Sequence, residues 1–253
     1  VTHHAIDYER PKWRGFGRAF LVQGERNACR FAHRVVCVSQ AIKEDLDVRF
    51  PKHAERYITI RNGGSLNFQE HIDSPDIMQT YDLSRGQYFL AVGRLEQTKA
   101  YHELIAAYQK IEHPNYKLVI CGVGIHAEQY VKDLTANASG NIIFVGFQHG
   151  VRLKTLYTNT ALFIHTSHME GFCLVVSEAL SAGVPIALTD IPPHREFRLP
   201  ETCFFPAGDT QAIETILRQD DFSEYKSREA FEHQCQNTWL VCAEKHKELY
   251  HGL

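Results

Sequence analysis

Two carboxylates eight residues apart, Glu170 and Glu178, bracket the run Gly171-Phe172-Cys173-Leu174-Val175-Val176-Ser177. A glycine after the first acid, followed by apolar residues at helical spacing, reads as a strand-to-helix turn. Glu170 then sits just before the helix and Glu178 two turns inside it. The amide N–H groups of residues 171 to 174 would be free at the helix amino end, with the helix dipole behind them. That is an anion site suited to a diphosphate. The neighbouring carboxylates would accept hydrogen bonds from sugar and ribose hydroxyls. The plainer alternative is that Glu170 stabilises the first helical turn and Glu178 is solvated. A second set is Val92-Gly93-Arg94-Leu95-Glu96-Gln97-Thr98-Lys99. Gly93 permits a tight exit from a strand, and Arg94 and Lys99 place two cations there. Such a pair could neutralise a pyrophosphate, the arginine with bidentate geometry. Alone it is equally a surface loop with two ordinary charges. Found beside the Glu-x7-Glu run, the binding reading prevails.

A third pattern misleads. Gly122-Val123-Gly124-Ile125-His126-Ala127 matches the GxGxxA dinucleotide fingerprint. That fingerprint also requires an acid about 20 residues on, at the end of the next strand. Here the next strand ends Val145-Gly146-Phe147, without an acid, which argues against a dehydrogenase.

The elements that must position these residues follow from apolar patterning. Strands are expected at Tyr88–Val92, Lys117–Cys121, Asn141–Val145, Ala161–His165, Pro185–Thr189 and Cys203–Phe205. Helices are expected at Lys99–Ile111, His126–Asn137, Val151–Thr158, Phe172–Ala182 and Thr210–Arg218, with one long tail helix from Phe231 to Leu249. The strands are nearly continuous apolar runs, as when both sheet faces are covered. Their alternation with helices means βαβ units in a doubly wound parallel sheet, an α/β fold with ligands at the strands' carboxyl ends. Upstream, Arg14–His33 reads as a helix, Arg34–Ser39 as a strand, Gln40–Val48 as a helix capped by Ser39, and Tyr57–Ile60 as a strand. The polar stretch after Asn62-Gly63-Gly64 reads as a linker. The expected organisation is therefore a partial first domain over 1–65, a linker over 66–86, and a binding domain with its tail over 87–253. The first piece is too short for a complete sheet domain, and the chain starts without Met, so upstream sequence is expected.

Composition narrows the class. A net charge of −3 over 253 residues gives no reason to expect a nucleic-acid partner, and no apolar run is long enough to cross a bilayer. Seven cysteines, odd in number and without a CxxC pair, read as buried thiols in a reducing cytosol. Fifteen histidines invite a metal, but none falls in an HxxxH or HExxH spacing, and no metal site is expected. One region stands apart. Between residues 10 and 34, Arg10, Lys12, Arg14, Arg18, Arg26, Arg30 and Arg34 face a single acid, Glu25, with Trp13, Phe16, Phe20 and Phe31 interleaved. This reads either as a half-buried helix with solvated charges or as a peripheral contact with anionic lipid.

The order Gly93-Arg94…Lys99, Cys121-Gly122-Val123-Gly124, Val145-Gly146-Phe147, Thr166-Ser167…Glu170-Gly171-Phe172…Glu178-Ala179-Leu180…Ala182-Gly183-Val184-Pro185 resembles family four of the retaining glycosyltransferases, which have the GT-B fold. The likeness covers essentially the whole chain. Asn62-Gly63 resembles the family's entry to its interdomain linker, and Trp239 the aromatic of the helix that crosses back. The start, His4 to Trp13, resembles a rhamnosyltransferase-type branch. The resemblance implies a Rossmann-like C-terminal domain. It also implies a donor that is a UDP-, GDP- or dTDP-sugar, no cofactor or metal, and a saccharide or lipid-linked acceptor. Arg94 and Lys99 would bind the donor diphosphate, with Gly93 beside them. Glu178 would hold the ribose. Glu170 and the amides of Gly171, Phe172, Cys173 and Leu174 would hold the transferred sugar, and Phe147 would border the base. His4 would reach in from the other domain, His3 being disfavoured because Asp7-Tyr8 sets the register. The sequence departs from the family at Thr166, where Pro is usual, and at Met169, where an aromatic is usual. The expected setting is cytoplasmic, with a peripheral membrane contact through 10–34 as the alternative to a half-buried, solvated helix. Two other classes remain: a nucleotide-sugar-binding chain without turnover, and a sugar-nucleotide epimerase on the same fold.

Overall fold

The computed structural model describes residues 1–10, 13–64, 74–111, 116–125, 127–138 and 140–252. Strands β1 (Thr2–His3), β2 (Val35–Cys37) and β3 (Tyr57–Thr59) form a small parallel sheet in that order. Helix α1 (Gly15–Phe31) links the first two strands and α2 (Gln40–Arg49) follows the second. Ser39 caps α2 as expected, its Oγ accepting from the Ile42 N–H at 3.2 Å. Within 66–86, residues 66–73 lie outside the described residues. The rest is not plain linker: α3 (Pro75–Thr80) forms there, with Ile77 fully buried. A single short apolar face in a polar stretch carries too little periodicity to announce a helix.

The large sheet holds β4 (Tyr88–Val92), β5 (Lys117–Cys121), β6 (Ile142–Gly146), β7 (Leu162–His165), β8 (Ile186–Thr189) and β9 (Phe204–Phe205). Their order is β6-β5-β4-β7-β8-β9, all parallel. The α/β fold with parallel sheets is as the apolar runs require. All five residues of β4 are buried, the mark of a strand covered on both faces. The chain winds outward from β4 to β6, then returns to β4's other side with β7. The reversal between β4 and β7 is a topological switch point, where open α/β sheets bind ligands. Helices α4 (Tyr101–Gln109), α5 (Glu128–Ala136), α6 (Gly150–Thr158) and α7 (Leu174–Ser181) connect successive strands. The short α8 (Pro192–Arg195) follows β8, and α9 (Thr210–Leu217) packs on α4.

The misleading GxG pattern has a packing cause. A Cβ at Gly122 would lie 1.9 Å from the carbonyl oxygen of Gly93, so the exits of β4 and β5 touch backbone to backbone. The tail also differs from expectation. It is two helices, α10 (Arg228–Gln236) and α11 (Trp239–His251), broken at Asn237-Thr238. There the chain meets the small-sheet side: Gly64 N–H donates to the Asn237 carbonyl at 2.7 Å and Gly64 bridges Thr238. A Cβ at Gly63 would come within 2.2 Å of the Trp239 nitrogen. The close crossing, not the local sequence, interrupts the helix.

Helix α1 buries only Glu25 and Cys29. Its outward face leaves Phe16, Phe20 and Phe31 at 86%, 68% and 68% exposed. Glu25 is the anchor. It accepts from His3 Nε2 at 2.7 Å, Tyr8 Oη at 2.8 Å and Arg49 Nη2 at 3.0 Å. Burial would raise its pKa, but these donors outweigh that and hold it at about 2.

Candidate active site

A cleft of about 500 Å³ opens between the carboxyl edges of the two sheets. All eleven residues singled out from the sequence line it: His4, Gly93, Arg94, Lys99, Phe147, Glu170, Gly171, Phe172, Cys173, Leu174 and Glu178. His3, by contrast, is turned to Glu25. A larger open groove of about 600 Å³ lies elsewhere, lined in part by Gly86, Thr160 and Pro185 at the amino ends of β4, β7 and β8, and contains none of these residues.

Two non-glycine residues in the left-handed region shape the walls: Ala100 (φ +51°), just after Lys99, and Cys173 (φ +69°). Each immediately precedes a helix, so α4 starts at Tyr101 and α7 at Leu174, later than apolar spacing suggests. Such backbone is costly for a side chain bearing a Cβ and is held by its surroundings. At α7, the first helical bonds run from the N–H groups of Val176 and Ser177 to the Cys173 carbonyl. The amides of Leu174 and Val175 thus lie ahead of the helical ladder. Gly171 is tightly placed: a Cβ there would sit 1.9 Å from the His4 carbonyl oxygen.

Lys99 Nζ lies 2.5 Å from Glu170 Oε1, and His165 Nε2 is 2.7 Å from the same oxygen. Burial would lift the Glu170 carboxyl, but the Lys99 charge and the His165 hydrogen bond hold it well below the carboxylate range. Lys99 is likewise raised, because Glu170 outweighs burial. Burial keeps His165 low and therefore neutral, so its Nε2–H donates to Glu170. Next to it, His194 is fully buried and pushed down to about 3 by burial. Its Nδ1–H donates to the Thr189 carbonyl at 2.7 Å, and its Nε2 has no partner among the described residues. His165, Glu170, Cys173 and His194 each bring a ligand-type atom within 4.8 Å of one another. Sequence reading passed over this grouping, since His165 ends β7, Glu170 and Cys173 lie in the turn after it, and His194 comes from α8, with no motif spacing among them. Its carboxylate is already engaged by Lys99 and His165.

Glu178 is perturbed the other way. Burial raises it, only partly offset by a hydrogen bond from Tyr157 Oη at 2.9 Å. Phe147, 68% exposed, forms an outer wall beside His149. Arg94 is 46% exposed and 3.2 Å from Glu96 Oε1. Each cation of the loop therefore has an acidic partner. Arg10, Glu96, Tyr157, His165 and His194 were all missed as site residues. Arg10 was noticed only within the basic segment and the His4-to-Trp13 run, Glu96 only as part of the Val92-to-Lys99 run, and the other three belong to no spaced pattern.

Residues 73–231 match the family described as glycosyl transferases group 1. An uncharacterized glycosyltransferase of Methanocaldococcus jannaschii is 31% identical over 168 residues, covering 62% of this chain and 42% of its own. The O-antigen chain mannosyltransferase RfbU of Salmonella typhimurium is 26% identical over 239 residues, 88% of this chain and 62% of its own. This chain thus spans less than two thirds of either relative. In three dimensions it is similar to the Anabaena protein HepE in complex with UDP-glucose. The TM-score is 0.83 at 22% identity, over 100% of this chain and 72% of that one.

Proposed function

Because this chain belongs to the glycosyl transferases group 1 family, with a parallel α/β architecture like that of GT-B enzymes, we propose that it transfers a hexose or deoxyhexose, with retention, from a nucleotide diphosphate sugar to a saccharide or lipid-linked acceptor. The observation that carries this reading is the convergence of Arg94, Lys99 and the amino end of α7 on one cleft at the sheet's switch point. The donor diphosphate is seated on those three groups. Glu178 takes the ribose, Phe147 borders the base, and Glu170 with the amides of Gly171 to Leu174 holds the sugar. His4 meets the sugar or acceptor from the small-sheet side.

In this reading the acceptor hydroxyl attacks the anomeric carbon from the face that the diphosphate leaves. The bond from that carbon to the leaving oxygen breaks as the new glycosidic bond forms, and a leaving-phosphate oxygen takes the hydroxyl proton. Glu170, already neutralised by Lys99 and hydrogen-bonded by His165, is poorly placed as a covalent nucleophile. It suits a role as a fixed acceptor of sugar hydroxyl hydrogen bonds. Rate enhancement then comes from charge arranged around the departing diphosphate, supplied by Arg94, Lys99 and the helix dipole.

The relative RfbU is named a mannosyltransferase, so mannose is the first sugar to test, with GDP-mannose set against UDP-glucose and dTDP-sugars. Binding of UDP, GDP and dTDP by calorimetry, beside transfer and donor hydrolysis, tests the proposal. Tight binding with neither transfer nor hydrolysis would favour a binding chain without turnover. Indifference to every nucleoside diphosphate would overturn the site itself.

A further inference from the structure

Glu96 holds two guanidinium groups on one oxygen. Arg10 Nη1 donates to Glu96 Oε1 at 2.8 Å, and Arg94 Nη2 stands 3.2 Å from the same atom. The two arginines come from opposite sides of the cleft: Arg94 follows β4 of the large sheet, and Arg10 follows β1 of the small one. Both line the cavity, while Glu96 lies behind them, outside its lining. The Arg10 and Glu96 side chains are only 15% and 18% exposed.

Two guanidinium groups that close repel unless an anion sits between them. Here a carboxylate oxygen fills that place. Arginine forks match carboxylate and phosphate oxygens alike, so the arrangement is equally that of a phosphate clamp whose anion is supplied by the protein. The charges at this end of the cleft argue the same way. Lys99 is committed to Glu170. Lys99 and Glu170 offset one another, whereas Arg10 and Arg94 share the single carboxylate of Glu96, so this group alone carries an excess of positive charge toward a diphosphate.

We propose that Arg10 is a third donor-binding cation. Glu96 keeps it and Arg94 paired until a diphosphate oxygen of the nucleotide sugar takes the carboxylate's place. This rests on the donor reading above and adds to it a binding residue from the other side of the cleft. The competing role for Arg10 is that of a simple tether between the N-terminal segment and the loop after β4.

Calorimetry of the whole chain with UDP or GDP, whichever the unaltered protein binds, separates these, with uridine or guanosine as the phosphate-free control. Arg10→Ala is expected to weaken nucleoside diphosphate binding by about tenfold and to leave nucleoside binding unchanged, with Arg10→Lys between. Glu96→Gln, which frees both guanidinium groups, is expected to bind the diphosphate at least as tightly as the unaltered chain and with a steeper salt dependence. Equal diphosphate affinity in Arg10→Ala and the unaltered protein overturns the proposal. So does a loss in Glu96→Gln as large as that in Arg10→Ala, the result a tether gives. If the unaltered chain binds no nucleoside diphosphate at all, the donor reading fails first, a result distinct from either of these.

Discussion

Glu170 and Glu178 are the same side chain two helical turns apart, and their surroundings drive them in opposite directions. Lys99 and His165 hold the first ionised, whereas burial lifts the second. As pH falls through the carboxylate range, Glu178 therefore takes its proton first and loses acceptor capacity toward a ribose. Donor affinity measured by calorimetry from pH 8 to pH 5 should fall on the acid side, and Glu178→Gln should flatten that fall. A decline that persists unchanged in the variant would clear Glu178 of the role. Lys99→Met removes the cation beside a buried acid, so the Glu170 carboxyl must climb out of its low range. Turnover should drop on the order of 100-fold, the cost of losing one preorganised charge at the leaving group; Arg94→Ala should behave similarly, and near-normal rates in both would undo the assignment. At this scale the sequence showed the groups that stand in spaced runs, Glu-x7-Glu and Arg-x4-Lys. It hid those that arrive from separate segments. Glu170 follows His165, the last residue of β7, within five positions, but His194 and Arg10 are brought in by the fold, and nothing local marks them as site residues.

Elements were legible where they are buried and regular, and illegible where tertiary contact decides. Continuous apolar runs located all six strands of the large sheet to within a residue or so. Helix starts at Tyr101 and Leu174 could not be read, because the preceding Ala100 and Cys173 take left-handed backbone that neither residue prefers. Helix α1 shows both behaviours. Its anchor, Glu25, has a folded pKa below its unfolded value, so its contribution to stability is complete above the unfolded carboxylate range and is lost as pH falls through that range toward about 2. Glu25→Gln should cost roughly 2–3 kcal/mol at neutral pH by leaving Arg49 underpaired, and should weaken the acid sensitivity of the melt. The other face of α1, with Phe16, Phe20 and Phe31 exposed and Arg26, Arg30 and Arg34 in the same segment, suits an anionic bilayer surface. Pelleting with vesicles of anionic lipid but not with neutral ones is the expected result, reduced in a Phe16→Ser, Phe20→Ser double variant. Indifference to lipid charge would favour the other reading, a half-buried helix with solvated charges.

In the whole molecule, two parallel sheets meet along one cleft and are tied at several places. Glu196 accepts from the Ala41 N–H at 2.8 Å, and its carbonyl accepts from Arg61 Nη2 at 3.2 Å. Gly63 passes directly against the start of α11, and Gly64 against Gln234 of α10 and Ser177 of α7. Gly63→Ala should therefore lower the melting temperature by several degrees, the effect of a clash worth on the order of 2 kcal/mol. A silent substitution would show that the crossing yields easily. Alternation of strand and helix made the parallel sheet legible. The placing of β7 beside β4, and hence the switch point, follows from chain handedness and packing that no local pattern records. The His4 carbonyl set against Gly171 has a mechanical consequence. Approach of the two halves halts where that oxygen meets the glycine, as a door meets its frame. At that point the two sides of the cleft meet through main chain. On the donor reading, a change of sugar preference would work through the side chains of residues that line the space and leave the frame alone.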